Sequence, residues 1–162
     1  MLEETGDFRG LAQVLVYQGW MLIRIGRFEQ AASGLERSRL LFEKLQLSPD
    51  YGMGSHPIAP LIILTVIQGD YARAVVLGEQ LKDDSVARGD KHNQSFACYG
   101  LTSAYLQGEY DSALRNANEA VRLAEDVGNH WFGAYCHIEL GNIHREMGQY
   151  SAAKHHYRKG PD

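Results

Sequence analysis

The chain has 162 residues, enough for one ordinary domain with a real core, and 44% of them are hydrophobic, which excludes a disordered chain. Sixteen Lys and Arg stand against twenty Asp and Glu, for a net charge of −4, and no basic stripe of the kind that neutralises phosphates is present, so no direct nucleic-acid partner is expected. Two cysteines, Cys98 and Cys136, lack zinc-site or disulfide-scaffold spacing and read as small buried residues; with no signal-peptide pattern and no apolar run longer than stretches such as Leu61-Ile62-Ile63-Leu64, the expected setting is a reducing cytoplasm with no membrane partner.

In chain order, residues 1–6 mimic the helix end Ala124-Glu125-Asp126-Val127-Gly128-Asn129 and are expected to finish a preceding helix. A first repeat, 7–46, opens with Asp7 as N-cap of a helix over Leu11 to Ile25. The phrase GRFEQA, Gly26 to Ala31, follows, and then a second helix with Phe28, Ala31, Ala32, Leu35, Phe42 and Leu45 on one face. A second repeat, 47–89, starts with a loop rich in Pro and Gly (Pro49, Gly52, Gly54). There Ser55-His56-Pro57 reads as an N-cap with proline in the first turn, and a short helix runs roughly from Pro57 to Gln68 before GDYARA at Gly69 to Ala74. The third repeat, 90–128, has Asp90 as N-cap, a helix over Phe96 to Gln107, and GEYDSA at Gly108 to Ala113. From Tyr110 its apolar or small positions (Ala113, Leu114, Ala117, Ala120, Val121, Ala124, Val127) keep the 3.6-residue period for about five turns. The fourth, 129–162, has Asn129 as N-cap, a helix over Trp131 to Met147, GQYSAA at Gly148 to Ala153, and a last helix from Tyr150 to about Lys159, shorter than its counterparts.

The four phrases lie 43, 39 and 40 residues apart. Each is glycine, a polar residue, an aromatic ring, two variable residues and alanine, and each element has a mechanical reason. Glycine takes positive φ where two helices meet in a tight turn, the ring plugs the angle between them, and alanine lets two backbones approach. The run from Leu140-Gly141 through Gly148-Gln149-Tyr150 to Ala153 resembles the tetratricopeptide signature, leucine-glycine followed by a glycine, an aromatic and an alanine at fixed spacing, and Gly19 and Gly26 repeat its glycine pair. Four such matches in phase cover almost the whole chain. The resemblance implies an all-α fold, a right-handed superhelical solenoid of antiparallel helix pairs with repeats of about 40 residues, longer than the family's usual 34. At the first-helix position where the family places a small residue the chain has Ile62 and Leu101, so the packing there is expected to differ. In style it is similar to the sensor arrays of maltose-type LuxR regulators and to arrays linked to ATPases and nucleotide cyclases.

Neither end shows a polar-faced capping helix of the kind that closes a solenoid. The expectation is an excerpt of a larger protein, with end-to-end self-association. In the family the first helices of each pair line a concave surface, and the resemblance places Gln13, Trp20, Arg24, His56, Ser95, Tyr135, Asn142 and Arg145 there, with Trp20 as the anchor and the two arginines as carboxylate partners.

Catalytic chemistry is not expected. No dinucleotide-binding glycine motif, phosphate loop or nucleophile elbow occurs, and Asp83-Asp84 and Glu125-Asp126 fall on wet helix faces. Nor is a metal or other cofactor: His130, His137 and His144 share roughly one face, but seven residues of helix rise about 10.5 Å, too far for two of them to share one first-row ion. His155 and His156 read as residues of an exposed helix face. The implied function is a non-catalytic interaction or ligand-sensing module of a bacterial signalling or transcription-regulating protein, taking a peptide, a protein or a small-molecule inducer. A stand-alone scaffold or adapter is the alternative.

Overall fold

The computed structural model describes residues 6–48 and 55–160. Among these residues the protein is all-α, with eight helices and no strand. They are α1 (Phe8–Arg24), α2 (Phe28–Lys44), α3 (Ile58–Ile67), α4 (Tyr71–Arg88), α5 (Lys91–Tyr105), α6 (Tyr110–Asp126), α7 (His130–Glu146) and α8 (Tyr150–Tyr157). None is long and apolar enough to cross a membrane. The helix end expected over residues 1–6, the loop residues Pro49, Gly52 and Gly54, and Pro161 lie outside the described residues, Gly6 apart.

Side-chain caps start four of the helices. The carboxylates of Asp7, Asp70 and Asp90 accept from the backbone N–H three residues on, at 2.8, 3.1 and 3.0 Å, and the Asn129 amide oxygen does so at 3.1 Å. Each satisfies a first-turn N–H that no helical carbonyl can reach. The expected Ser55 cap is replaced: His56 Nδ1 accepts from the Ile58 N–H at 3.2 Å, and Pro57 is the residue that precedes the first helical turn. Pro60 sits inside that turn, where its missing N–H would have had no partner.

The ends of the helices share one device. At Gly26, Gly69, Gly89, Gly128 and Gly148 the backbone turns left-handed, with φ between 66° and 79°. The next residue's N–H then donates to the carbonyl five residues earlier, as in Arg27 to Leu22 (2.9 Å), Asp70 to Thr65 (2.9 Å), Asp90 to Ser85 (2.8 Å) and Asn129 to Ala124 (2.8 Å). Gln46 makes the same corner without a glycine, at φ 50°, with Leu47 N–H donating to Phe42. The corner after α5 is one residue longer. There Gly108 takes φ 141° and Glu109 N–H donates to Tyr105 at 2.9 Å. The aromatic of each phrase is the first residue of α2, α4, α6 or α8. Phe28, Tyr71 and Tyr110 are half-buried, but Tyr150 is 72% exposed, so at the fourth corner the ring does not plug the junction as expected.

Each helix packs on its neighbours in sequence. Beyond those, the backbone of α1 approaches that of α3, α3 that of α5 and α5 that of α7, while no two even-numbered helices bring their backbones together; side chains reach further, Trp20 of α1 to Phe96 of α5 and Arg73 of α4 to Glu36 of α2 at 2.6 Å. The odd helices therefore lie closer together than the even ones. The core runs through Leu35, Ile62, Leu64, Leu81, Leu101, Leu123, Leu140 and Ile143, all fully buried, and α3 is buried almost all round because α1, α2, α4 and α5 surround it.

Packing at the small-residue position does differ between repeats. In α1 the small residue is Gly19, against Leu35; in the middle of the chain large and small change places. Ile62 lies over Gly100, where a Cβ would come within 2.5 Å of its Cγ2, and Leu101 lies over Gly78, where a Cβ would come within 2.6 Å of its Cδ2. The close approach is kept by moving the missing side chain to the facing helix.

Two substitutions test these features. Overpacking costs about 1–3 kcal/mol, while replacing a helical glycine with alanine gains about 1 kcal/mol. Gly100→Ala is therefore expected to lower the urea midpoint of the native chain and to raise it in an Ile62→Ala background; the same sign in both would contradict the contact. Gln46→Gly is expected to raise stability by about 1 kcal/mol by relieving the left-handed corner, read from the same unfolding curves.

Candidate functional site

The largest concentration of aromatic surface lies where four odd-numbered helices face one another. Tyr17, Trp20, Met21 and Arg24 come from α1, Ile63 from α3, Phe96 and Tyr99 from α5, and Trp131, Phe132 and Tyr135 from α7. They enclose an open cavity of about 420 Å³, within the range of small-ligand sites. Its floor is a packed ring system. Trp20 meets Phe96 edge-on at 5.3 Å, Phe96 stacks on Phe132 at 5.4 Å, and Tyr99 meets Phe132 at 5.3 Å. Edge and offset-stacked arrangements are the ones that ring pairs favour. The walls are wet: Trp131 is 61% exposed and Met21 60%, and Trp131 leans on Tyr135 at 4.6 Å.

Two charged groups mark the groove. Arg24 is exposed in the last turn of α1 and has no acidic partner among the described residues. Behind Tyr99, its hydroxyl donates to Glu139 Oε1 at 3.5 Å, Asn142 Nδ2 donates to Glu139 Oε2 at 3.4 Å, and Tyr157 OH donates to Asn142 Oδ1 at 2.9 Å. Burial pushes the Glu139 carboxyl above the usual carboxylate range, and burial next to Glu139 raises the Tyr99 phenol.

Of the residues the resemblance placed on the inner surface, Trp20, Arg24 and Tyr135 come together in this groove. The other five do not join them. Gln13 Nε2 donates to the Ser55 carbonyl at 3.3 Å. Ser95 is buried, its hydroxyl donating to the Ala120 carbonyl at 2.8 Å across to α6. Asn142 is engaged by Tyr157 and Glu139 as above. Arg145 is exposed and paired with Glu146 at 2.9 Å, beside Tyr157 and Arg158. His56 is buried next to Phe42 with Nε2 at 3.4 Å from Asp84 Oδ2, in a separate cavity of about 240 Å³ bordered by Arg39 and Arg88.

Tyr17, Met21, Ile63, Phe96, Tyr99, Trp131 and Phe132 are groove residues that the inner-surface set left out. Their signal is an aromatic or apolar residue repeated three or four positions apart on the odd helices, the same signal that a buried stripe gives.

Other reactive groups are quiet. The Cys98 and Cys136 thiols are free and buried, and burial pushes them up to about 11 and about 12, so neither is a thiolate at neutral pH. Hydrogen bonding to Lys91 at 2.9 Å and the charge of Arg122 hold Asp126 below the ordinary carboxylate value, which keeps it ionised. No protein-family model matches the chain, and no curated protein matches it.

Burial, reinforced by the Arg88 charge, lowers the His56 pKa to about 4, against an opposing pull from Asp84. The unfolded chain, with His near 6.5, binds a proton first. The stability His56 contributes is therefore complete above about pH 6.5 and lost as pH falls toward 4. Urea midpoints should drop from pH 7.5 to pH 5, and His56→Gln should flatten that drop; an unchanged slope would exclude His56 as a source.

Proposed function

We propose that the protein is a non-catalytic binding module of the tetratricopeptide type, in which antiparallel helix pairs stack side by side as a right-handed solenoid and the odd-numbered helices line its inner surface. The single observation that carries the reading is the aromatic groove, built from four alternate helices, with Tyr17, Trp131 and Tyr135 exposed over a buried floor of Phe96 and Phe132. Support for the row-like arrangement comes from the backbone contact pattern, in which odd helices approach their next-but-one neighbours and even helices do not. Apolar surface left open to water above a packed ring floor is a recurrent feature of recognition sites.

The groove's chemistry suits a flat or branched apolar body set against Trp20, Trp131 and Tyr135, carrying an acidic group within reach of Arg24. A peptide segment with an aromatic or leucine side chain next to an acidic residue has this character, and so does an aryl or aliphatic carboxylate acting as an inducer. The similarity to bacterial sensor arrays supports a role in relaying such occupancy to other parts of a larger signalling protein.

Both tryptophans of the chain, Trp20 and Trp131, line the groove, so intrinsic fluorescence reports on it directly. Titration with 8-anilinonaphthalene-1-sulfonate, an aryl anion, and with a short Phe- and Glu-containing peptide should shift tryptophan emission to the blue. Trp20→Ala should weaken binding at least tenfold and Arg24→Gln by less. Binding that both variants leave unchanged would contradict the proposal.

A further inference from the structure

The sequence places His137 and His144 too far apart to share an ion, but α8 brings a third imidazole between them. His156 Nδ1 lies 3.2 Å from His137 Nδ1, with ring centroids 5.3 Å apart. On its other side, His156 stacks nearly parallel to His144 at 5.2 Å, and His144 is itself oriented by a 2.7 Å contact from its Nδ1 to Gln149 Oε1. Between two neutral imidazoles such an Nδ1–Nδ1 contact is favourable only if one ring carries its proton there and the other does not. When both rings carry the proton on Nε2, the two Nδ1 lone pairs converge on one point, and a cation takes the place of the shared proton.

The distance suits a particular kind of cation. Two imidazole nitrogens on a tetrahedral ion, each at 2.0–2.1 Å, lie about 3.3 Å apart, close to the separation already present. We propose that His137 and His156 form a two-imidazole site for a first-row divalent ion of the zinc–copper group, which clamps α8 onto α7. Among the described residues no group of three or more His, Cys, Asp and Glu could hold a metal, so water fills the remaining positions of the ion.

The surroundings set the selectivity. Lys159 and His155 face the pair and Glu125 lies near His137. With three nearby cationic or ionisable bases, Lys159, His155 and His144, against one carboxylate, charge alone does not draw an ion in, and nitrogen affinity must. Magnesium and calcium, which require oxygen ligands, are excluded; zinc, copper and nickel are not. Burial, with His137, His144, His155 and Lys159 as neighbours, lowers the His156 pKa to about 4, and burial with Lys159 and His155 nearby lowers that of His137, which leaves both rings unprotonated and able to ligate at neutral pH.

The test is titration of the full chain with zinc chloride at pH 7.5, by calorimetry and by competition with a chromophoric chelator. One ion per chain should bind, at least tenfold more weakly after His137→Gln or His156→Gln, and with unchanged affinity after His155→Gln or His130→Gln. Magnesium should have no effect. Circular dichroism establishes that the variants remain folded, and in the unsubstituted chain long-range proton–nitrogen spectra should show the Nδ1 resonances of His137 and His156 moving with zinc while those of His130 and His92 stay in place. Zinc binding that survives both substitutions, or imidazole shifts confined to other histidines, would overturn the proposal.

Discussion

The structure depends on reversing the chain within two to four residues, over and over, while giving carbonyls at the helix ends a backbone partner. The left-handed corner does this. One residue with positive φ lets the following N–H reach back five residues and cap the helix it has just left. Because the corner is short, the next helix has no choice but to lie against the previous one, and most tertiary contacts are made between segments close in sequence. Little loop-closure entropy is spent on each addition. Two junctions vary the device: Gln46 makes the corner without a glycine before the long 45–57 connection, and after α5 Gly108 takes φ 141° and the following N–H reaches back four residues.

Unequal spacing on the two sides of this arrangement produces the groove. The backbones of odd helices approach their next-but-one neighbours and those of even helices do not, so large side chains on the odd helices meet one another in the space between. Trp20, Phe96 and Phe132 fill that space as a continuous floor, while Trp131, Met21 and Tyr17, one step further out, have nothing to cover them. The exchange of Ile62 and Leu101 with Gly100 and Gly78 preserves the close approach that the groove needs.

Local signals were the legible ones. The four glycine corners, the caps at Asp7, Asp90 and Asn129, and the short buried α3 all follow from residues within one or two turns of the feature they create. Side-chain direction around a helix was not legible to the same degree. Ser95 sits one position from Phe96, but about 100° of rotation turns it toward Ala120 rather than the groove. His56 belongs to a segment whose cap is made by its own ring, which directs the ring toward Asp84. His156 read as part of an exposed face because its partners, His137 and His144, lie on another helix. Pairings between helices are set by how two faces meet, and periodicity along one helix carries no information about that.

Whether the helices form an open row or fold back into a bundle decides the rest, since a bundle would close the groove. Electron–electron distance measurement between spin labels at Leu40 on α2 and Lys154 on α8, both exposed, tests this directly, the buried Cys98 and Cys136 being replaced by serine or alanine. Because the even helices do not pack backbone to backbone, each of the three steps from α2 to α8 exceeds the 8–10 Å of a packed pair, which places the labels more than about 30 Å apart in a row. A distribution centred near the single-helix spacing of about 10 Å would contradict it.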